Sequence, residues 1–320
     1  GIFIVMESWL NDRANNRTRG QLLSIYMFIT LIGISLGTLL LNFSSPEKYE
    51  PFILISLLLS LALIPILLTK RKAPKFKKLG YIDIKGLYKT SPLGTVSMFC
   101  TGIIHSALFS LAAVYAASMN FTIFEISLLL FVITVSGGLF QWPVGYYSDK
   151  TDRRVIIIFC TFLAALFAFL AIVASVDSLE NMYLAISIGI DKVIFFIYVS
   201  IYAGMAIPLF TLNLAYVNDY IPKEKFVAAG GGMQIIFGLG AITGPLICSI
   251  IMNKFGPNGF FVHLLFFHLI IGIFGLYRIT KRTYKENPES TFTPLPRNIT
   301  PLGIELDPTT GADISSTEEK

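Results

Sequence analysis

The amino-acid sequence predicts an all-α, polytopic membrane protein. Apolar runs of about 20 residues, the length that crosses the hydrocarbon of a bilayer, recur along the chain. Basic residues gather in every second connection between those runs, as they do on the inner side of a membrane. Only 14% of the 320 residues are charged and 54% are hydrophobic, too little charge to coat a water-soluble surface of that size.

Eight runs are long enough to span: Gln21–Phe43, Pro51–Thr69, Gly94–Ala117, Ile123–Tyr146, Val155–Val176, Val193–Val217, Phe226–Ile251 and Gly259–Tyr277. A ninth, Gly1–Leu10, is too short; it is apolar from its second residue and reads as the end of a helix begun before Gly1. These runs are continuous, whereas a barrel strand alternates. No basic leader precedes the first run, so a signal peptide is not expected.

The connections sort by charge. One set holds Arg13, Arg17 and Arg19, then eight basic residues between Lys70 and Lys89, then Lys150, Arg153 and Arg154, then Lys223 and Lys225, then Arg278 to Lys285. The other set holds little beyond Lys48 and Lys254. The first set is therefore read as cytoplasmic. The organisation that follows is the end of one bundle (residues 1–69), a basic linker with a short surface helix (70–93), a six-helix bundle (94–278) and a polar, proline-bearing cytoplasmic tail (279–320) expected to be disordered.

Several function classes drop out. Cys100, Cys160 and Cys248 lie far apart in apolar runs, with neither a zinc spacing nor a disulfide framework, so no metal or cofactor is expected. The net charge of +5 sits in loops between spans, which argues orientation rather than a nucleic-acid groove. No phosphate-binding glycine loop or nucleophile elbow marks an enzyme.

An internal repeat adds to the pattern. Asn11-Asp12, a basic loop, and a run carrying Gly33 and Gly37 recur after a shift of 207 positions as Asn218-Asp219, a basic loop, and a run carrying Gly240 and Gly244. Repeated halves with a site between them near the midplane are common in secondary transporters.

The loop Gly145-Tyr146-Tyr147-Ser148-Asp149-Lys150-Thr151-Asp152-Arg153-Arg154 resembles the signature cytoplasmic motif of the major facilitator superfamily, with Asp152 where that family often has glycine. Glu7 to Arg13, Arg19-Gly20 and Tyr26, together with Pro294 to Arg297 and Glu305 to Pro308, are similar to a bacterial, YcaD-like subgroup of those transporters. The resemblance implies twelve helices in two bundles that rock to alternate access. This chain would hold the end of helix 4 through helix 12, lacking about the first three and a half, and would act as a monomer when complete. It also implies roles for the motif. Asp149 would cap the helix of the opposite half that starts near Gly20, and Arg153 would pair with Asp219 to latch the cytoplasmic side, with Gly145, Lys150 and Arg154 completing the gate. Charge placement alone would make the same loop an ordinary inner connection.

Candidate cavity residues follow from depth in the spans. His105 lies mid-run and shares an i, i+4 stripe with Thr101 and Phe109. It is a substrate or titrating group, or else a helix–helix hydrogen bond. Tyr198, Tyr202 and Asn213 share a face of the run broken by Pro208, a candidate hinge; packing or interfacial anchoring is the ordinary role of the tyrosines. Gln141 and Gln234 are further candidates. Glu7, with Asp12 and Arg19, forms a charge network or a proton site. Gly33, Gly37, Gly240 and Gly244 make small-residue faces for close helix contact. Gly244-Pro245 is similar to an element of drug antiporters but falls in the wrong helix, so antiport is not read. None of these candidates places a basic residue at depth, which disfavours polyanions and fits a neutral, amphipathic or weakly basic solute.

The function expected is secondary active transport of a small solute, with protons as a candidate coupling ion and the lipid bilayer as the other partner. The alternative is a membrane-embedded scaffold or sensor on the same fold.

Overall fold

The structure, a computed structural model, describes residues 6–7, 10, 19–43, 47–68, 84–180, 187–222, 225–281 and 292–307. Among them there are helices and no strands. The helices are α1 (Arg19–Leu39), α2 (Glu50–Leu67), α3 (Ile84–Thr90), α4 (Pro92–Ser118), α5 (Ile123–Lys150), α6 (Arg153–Glu180), α7 (Ser187–Ala206), α8 (Leu209–Asn218), α9 (Phe226–Phe255), α10 (Gly259–Lys281) and the short α11 (Pro301–Ile304). Seven stretches are long and apolar enough to cross a membrane, and the helix over the predicted span Pro51–Thr69 is shorter.

Local chemistry sets the ends. Pro92 opens α4, where its missing N–H costs nothing. Thr122 caps α5 reciprocally with Glu125, whose carboxylate accepts the Thr122 amide at 2.7 Å. Gly256, at φ 71°, ends α9 in the left-handed region. Pro208 divides the predicted span Val193–Val217 into α7 and α8, because it offers no N–H to the preceding turn. The basic linker does carry a helix, α3.

The tightest seam joins α4 to α9. A Cβ on Gly102 would come 2.1 Å from the Phe237 carbonyl oxygen, one on Gly240 2.1 Å from that of Phe99, and one on Gly244 2.3 Å from that of Ile103. The two backbones touch because no side chain separates them. Beside this seam an aromatic cluster joins α4 to α10: Tyr115 stacks on Phe260 at 5.2 Å and meets Phe261 edge-on at 5.0 Å. Much of α1 and α2 faces outward, with Phe28 and Phe52 each 64% exposed.

The expectation of disorder does not hold for residues 292–307. This segment returns to the bundle and buries Phe292, Leu295, Ile299, Ile304 and Leu306. Its prolines prevent a long helix, so it runs through turns and one short helix and sets its apolar side chains singly against the bundle.

Candidate functional site

The tail walls a cavity of about 500 Å³. Across from it stand Leu23, Thr30 and Leu31 of α1, Phe109 of α4, and Thr134 and Gln141 of α5. The lining is mainly apolar with a few polar groups, the usual make-up of a small-molecule site.

Two of the predicted cavity residues, Phe109 and Gln141, do line it. Gln234 bonds its wall instead, donating to the Arg297 carbonyl at 3.1 Å. The others lie within the helix packing. Asn213 donates to the Thr101 hydroxyl at 3.1 Å, and both are buried. Tyr198 packs on Phe167, and Tyr202 meets His268 through its hydroxyl at 3.3 Å. His105 is buried and its Nε2 lies 3.0 Å from the Ala206 carbonyl oxygen. A carbonyl can only accept, so Nε2 carries the proton and Nδ1 is bare. That carbonyl ends α7 at the Pro208 break, where helix carbonyls lose their i+4 amides, and His105 supplies a donor.

The loop motif closes one end of the bundle. Arg153 is 3% exposed and its Nε lies 3.1 Å from Asp219, while its Nη2 lies 2.8 Å from Asp149 and its Nη1 donates to Ser148 at 3.0 Å. The pairing of Arg153 with Asp219 is the one expected from the sequence. Asp149 differs. Its Oδ1 takes the amide of Phe292 at 2.8 Å, so the tail reaches the motif; the residues that precede the helix near Gly20 lie outside the described ones. Gly145 explains itself in the same contact: a Cβ there would meet the Phe292 ring at 2.3 Å. Arg154 turns to Asp152 at 2.6 Å, so the departure from glycine supplies a local anion. Lys150 sits 4.0 Å above the Tyr146 ring.

Glu7 is fully buried. Its carboxylate accepts from Tyr26 at 3.0 Å and from both the amide and the hydroxyl of Thr300, the amide at 2.8 Å. Asp12 of the expected charge network lies outside the described residues, as does the Arg19 side chain. The tail partners of Glu7 and Asp149 were not foreseen.

The motif geometry and the bundle agree with comparison to known proteins. The family model described as Major Facilitator Superfamily matches residues 1–212. The chain belongs to that superfamily. Facilitators similar to it include an uncharacterized MFS-type transporter of Yersinia enterocolitica, 23% identical over 82% of this chain and 64% of the relative. Others are the uncharacterized MFS-type transporters YcaD of Escherichia fergusonii, at 22%, and of Escherichia coli strain HS, at 23%, over the same shares. The chain thus spans about 64% of the length of these relatives. No solved structure matches it. The family makes this chain a multi-pass membrane protein, and its relatives are named as transporters.

One residue overturns an expectation from the sequence. Arg297 brings a cation into the cavity wall, its guanidinium carbon 3.4 Å from the centre of the Phe109 ring. Desolvation lowers its pKa to about 10, so it stays charged at neutral pH. Depth in an apolar run was the signal used to find cavity residues, and a residue delivered by a tail carries no such signal.

Proposed function

We propose that this facilitator moves a small solute across the membrane by alternating access. The observation that carries the reading is the position of the cavity, between α1 of the first repeat and α5 and α8 of the second. The Arg153–Asp219 pair lies at the motif end, assigned to the cytoplasm by its basic residues, and tail residues 293–298 wall the cavity. Opening to that side requires the pair to part and the tail to move; closing re-forms both. A buried ion pair suits such a latch, because it is strong only while both partners are in place.

Glu7 is the coupling carboxylate in this reading. As an anion it ties α1, through Tyr26, to the tail, through Thr300. A proton on it removes acceptor strength and loosens that tie, which links proton uptake to opening.

The test needs no substrate. The native cysteines are all buried, so background labelling is low. Thr30→Cys in the cavity wall is exposed to a membrane-impermeant thiol reagent from either face. Labelling is expected from the outer face in the otherwise unchanged chain, and from the cytoplasmic face once Asp219→Asn is added. Labelling from one and the same face in both would overturn alternating access. A Glu7→Gln chain whose labelling keeps the parent's response to pH would remove the coupling role alone.

A further inference from the structure

The structure assigns to the cavity a ligand class: we infer that Arg297 makes it a binding site for an organic monoanion, a carboxylate or sulfonate on an aromatic or aliphatic body. The inference deepens the transport reading above and rests on it for the cavity's role, while the site itself can be tested separately.

Among the described residues Arg297 has no anion of its own. The ion pairs among the described residues are Arg153 with Asp149 and Asp219, Arg154 with Asp152, and Lys192 with Glu125. Three carboxylates on and beside the described tail are engaged: Glu7 by Tyr26 and Thr300, Asp149 by Arg153 and Phe292, and Asp307 by the Thr293 hydroxyl at 3.0 Å. A cation drawn out of water without a counter-charge is costly, and the cost falls when an anion joins it.

The guanidinium is also held in place. Gln234 grips the Arg297 carbonyl, and two residues earlier Leu295 exchanges hydrogen bonds with Thr211, each 3.4 Å long. The guanidinium carbon sits over the Phe109 ring at 3.4 Å from its centroid, a separation that leaves no room for an N–H pointing at the ring and so favours face-on stacking. Stacking uses its face and leaves the N–H edge for a partner in the same plane, the geometry that takes a carboxylate or sulfonate by two parallel bonds. Trp142, Phe28 and Ile207 supply apolar wall for the body of such a ligand. Gln141 adds an amide whose buried Oε1 has no partner among the described residues; as an acceptor it suits a donor on the ligand's body, and the anion is left to Arg297. One cation among apolar walls fits one negative charge, and a volume of about 500 Å³ fits a ligand of two or three rings.

The experiment is calorimetric titration of 1-naphthoate into the full chain in lipid nanodiscs, with empty nanodiscs subtracted and 1-naphthamide as the neutral twin. Naphthoate is expected to bind at least about tenfold more tightly than the amide, the difference expected of a charge-assisted pair. Arg297→Gln should erase that preference and Arg297→Lys should keep part of it. Equal affinity for acid and amide in the unmodified chain would overturn the site, and that comparison holds even where a variant fails to fold. If no preference appears but Thr30→Cys still changes the face from which it labels, the anion site fails and alternating access stands. If the preference appears and the labelling never changes face, the site stands and the transport reading fails.

Discussion

Two glycine pairs related by the repeat, Gly33 with Gly37 and Gly240 with Gly244, have the same spacing on corresponding helices and different surroundings. Among the described residues, a Cβ on either member of the first pair would meet nothing within 4 Å. One on either member of the second would strike the backbone of α4. A small-residue stripe is therefore permission for close approach, and contact needs a facing helix that is small at the same height, as Gly102 is. Where α1 does touch the bundle it does so by a side chain: Leu31 covers Gly138, with a Cδ 2.5 Å from where a Cβ would stand.

The contrast can be broken most forcefully by size. Gly240→Leu forces a side chain into backbone and is expected to cost about 3 kcal/mol or more, whereas Gly33→Leu should stay within about 0.5 kcal/mol. Thermal unfolding of both in one detergent measures the gap, and equal losses would abolish the distinction. A smaller effect separates two polar ties. Asn213→Ala, which removes the buried bond to Thr101, is expected to cost about 0.6–2 kcal/mol. Asn42→Ala, which removes an exposed side chain's bond to Ser127, should be barely detectable. Another small change belongs to the bundle's own surface. Lys192 and Glu125 pair at 2.6 Å but are 35% and 20% exposed, so Lys192→Ala should cost about 0.2–1 kcal/mol and less in high salt. A loss above that range would mean the pair behaves like the buried interior.

The same contrast explains what could be read in the sequence. The spans were legible because hydrocarbon demands length and apolarity, and α4, α5, α9 and α10 lie where the runs predict them. The break at Pro208 and the partnership of Arg153 with Asp219 were legible too, one from backbone chemistry and the other through the resemblance of its loop. The cavity was legible only in Phe109 and Gln141. His105 and Asn213 lie at the right depth, but depth in a run does not fix which way a side chain turns, and both turn to neighbouring helices. The tail was invisible for a different reason. Phe292, Leu295 and Ile299 stand singly among prolines and polar residues, so no helical or strand period marks them. Their burial depends on grooves made by helices far away in the sequence.

The bond between Glu7 and Thr300 spans 293 positions. A ribosome making this chain delivers Glu7 before α1 and Thr300 only after α1 to α10 have emerged. Until then the bundle has no strap across its motif end, and the cavity lacks the wall that carries Arg297. The guanidinium that gives the site its charge is therefore fitted after the spans are laid down, and a nascent chain halted before residue 292 would present an uncharged cavity.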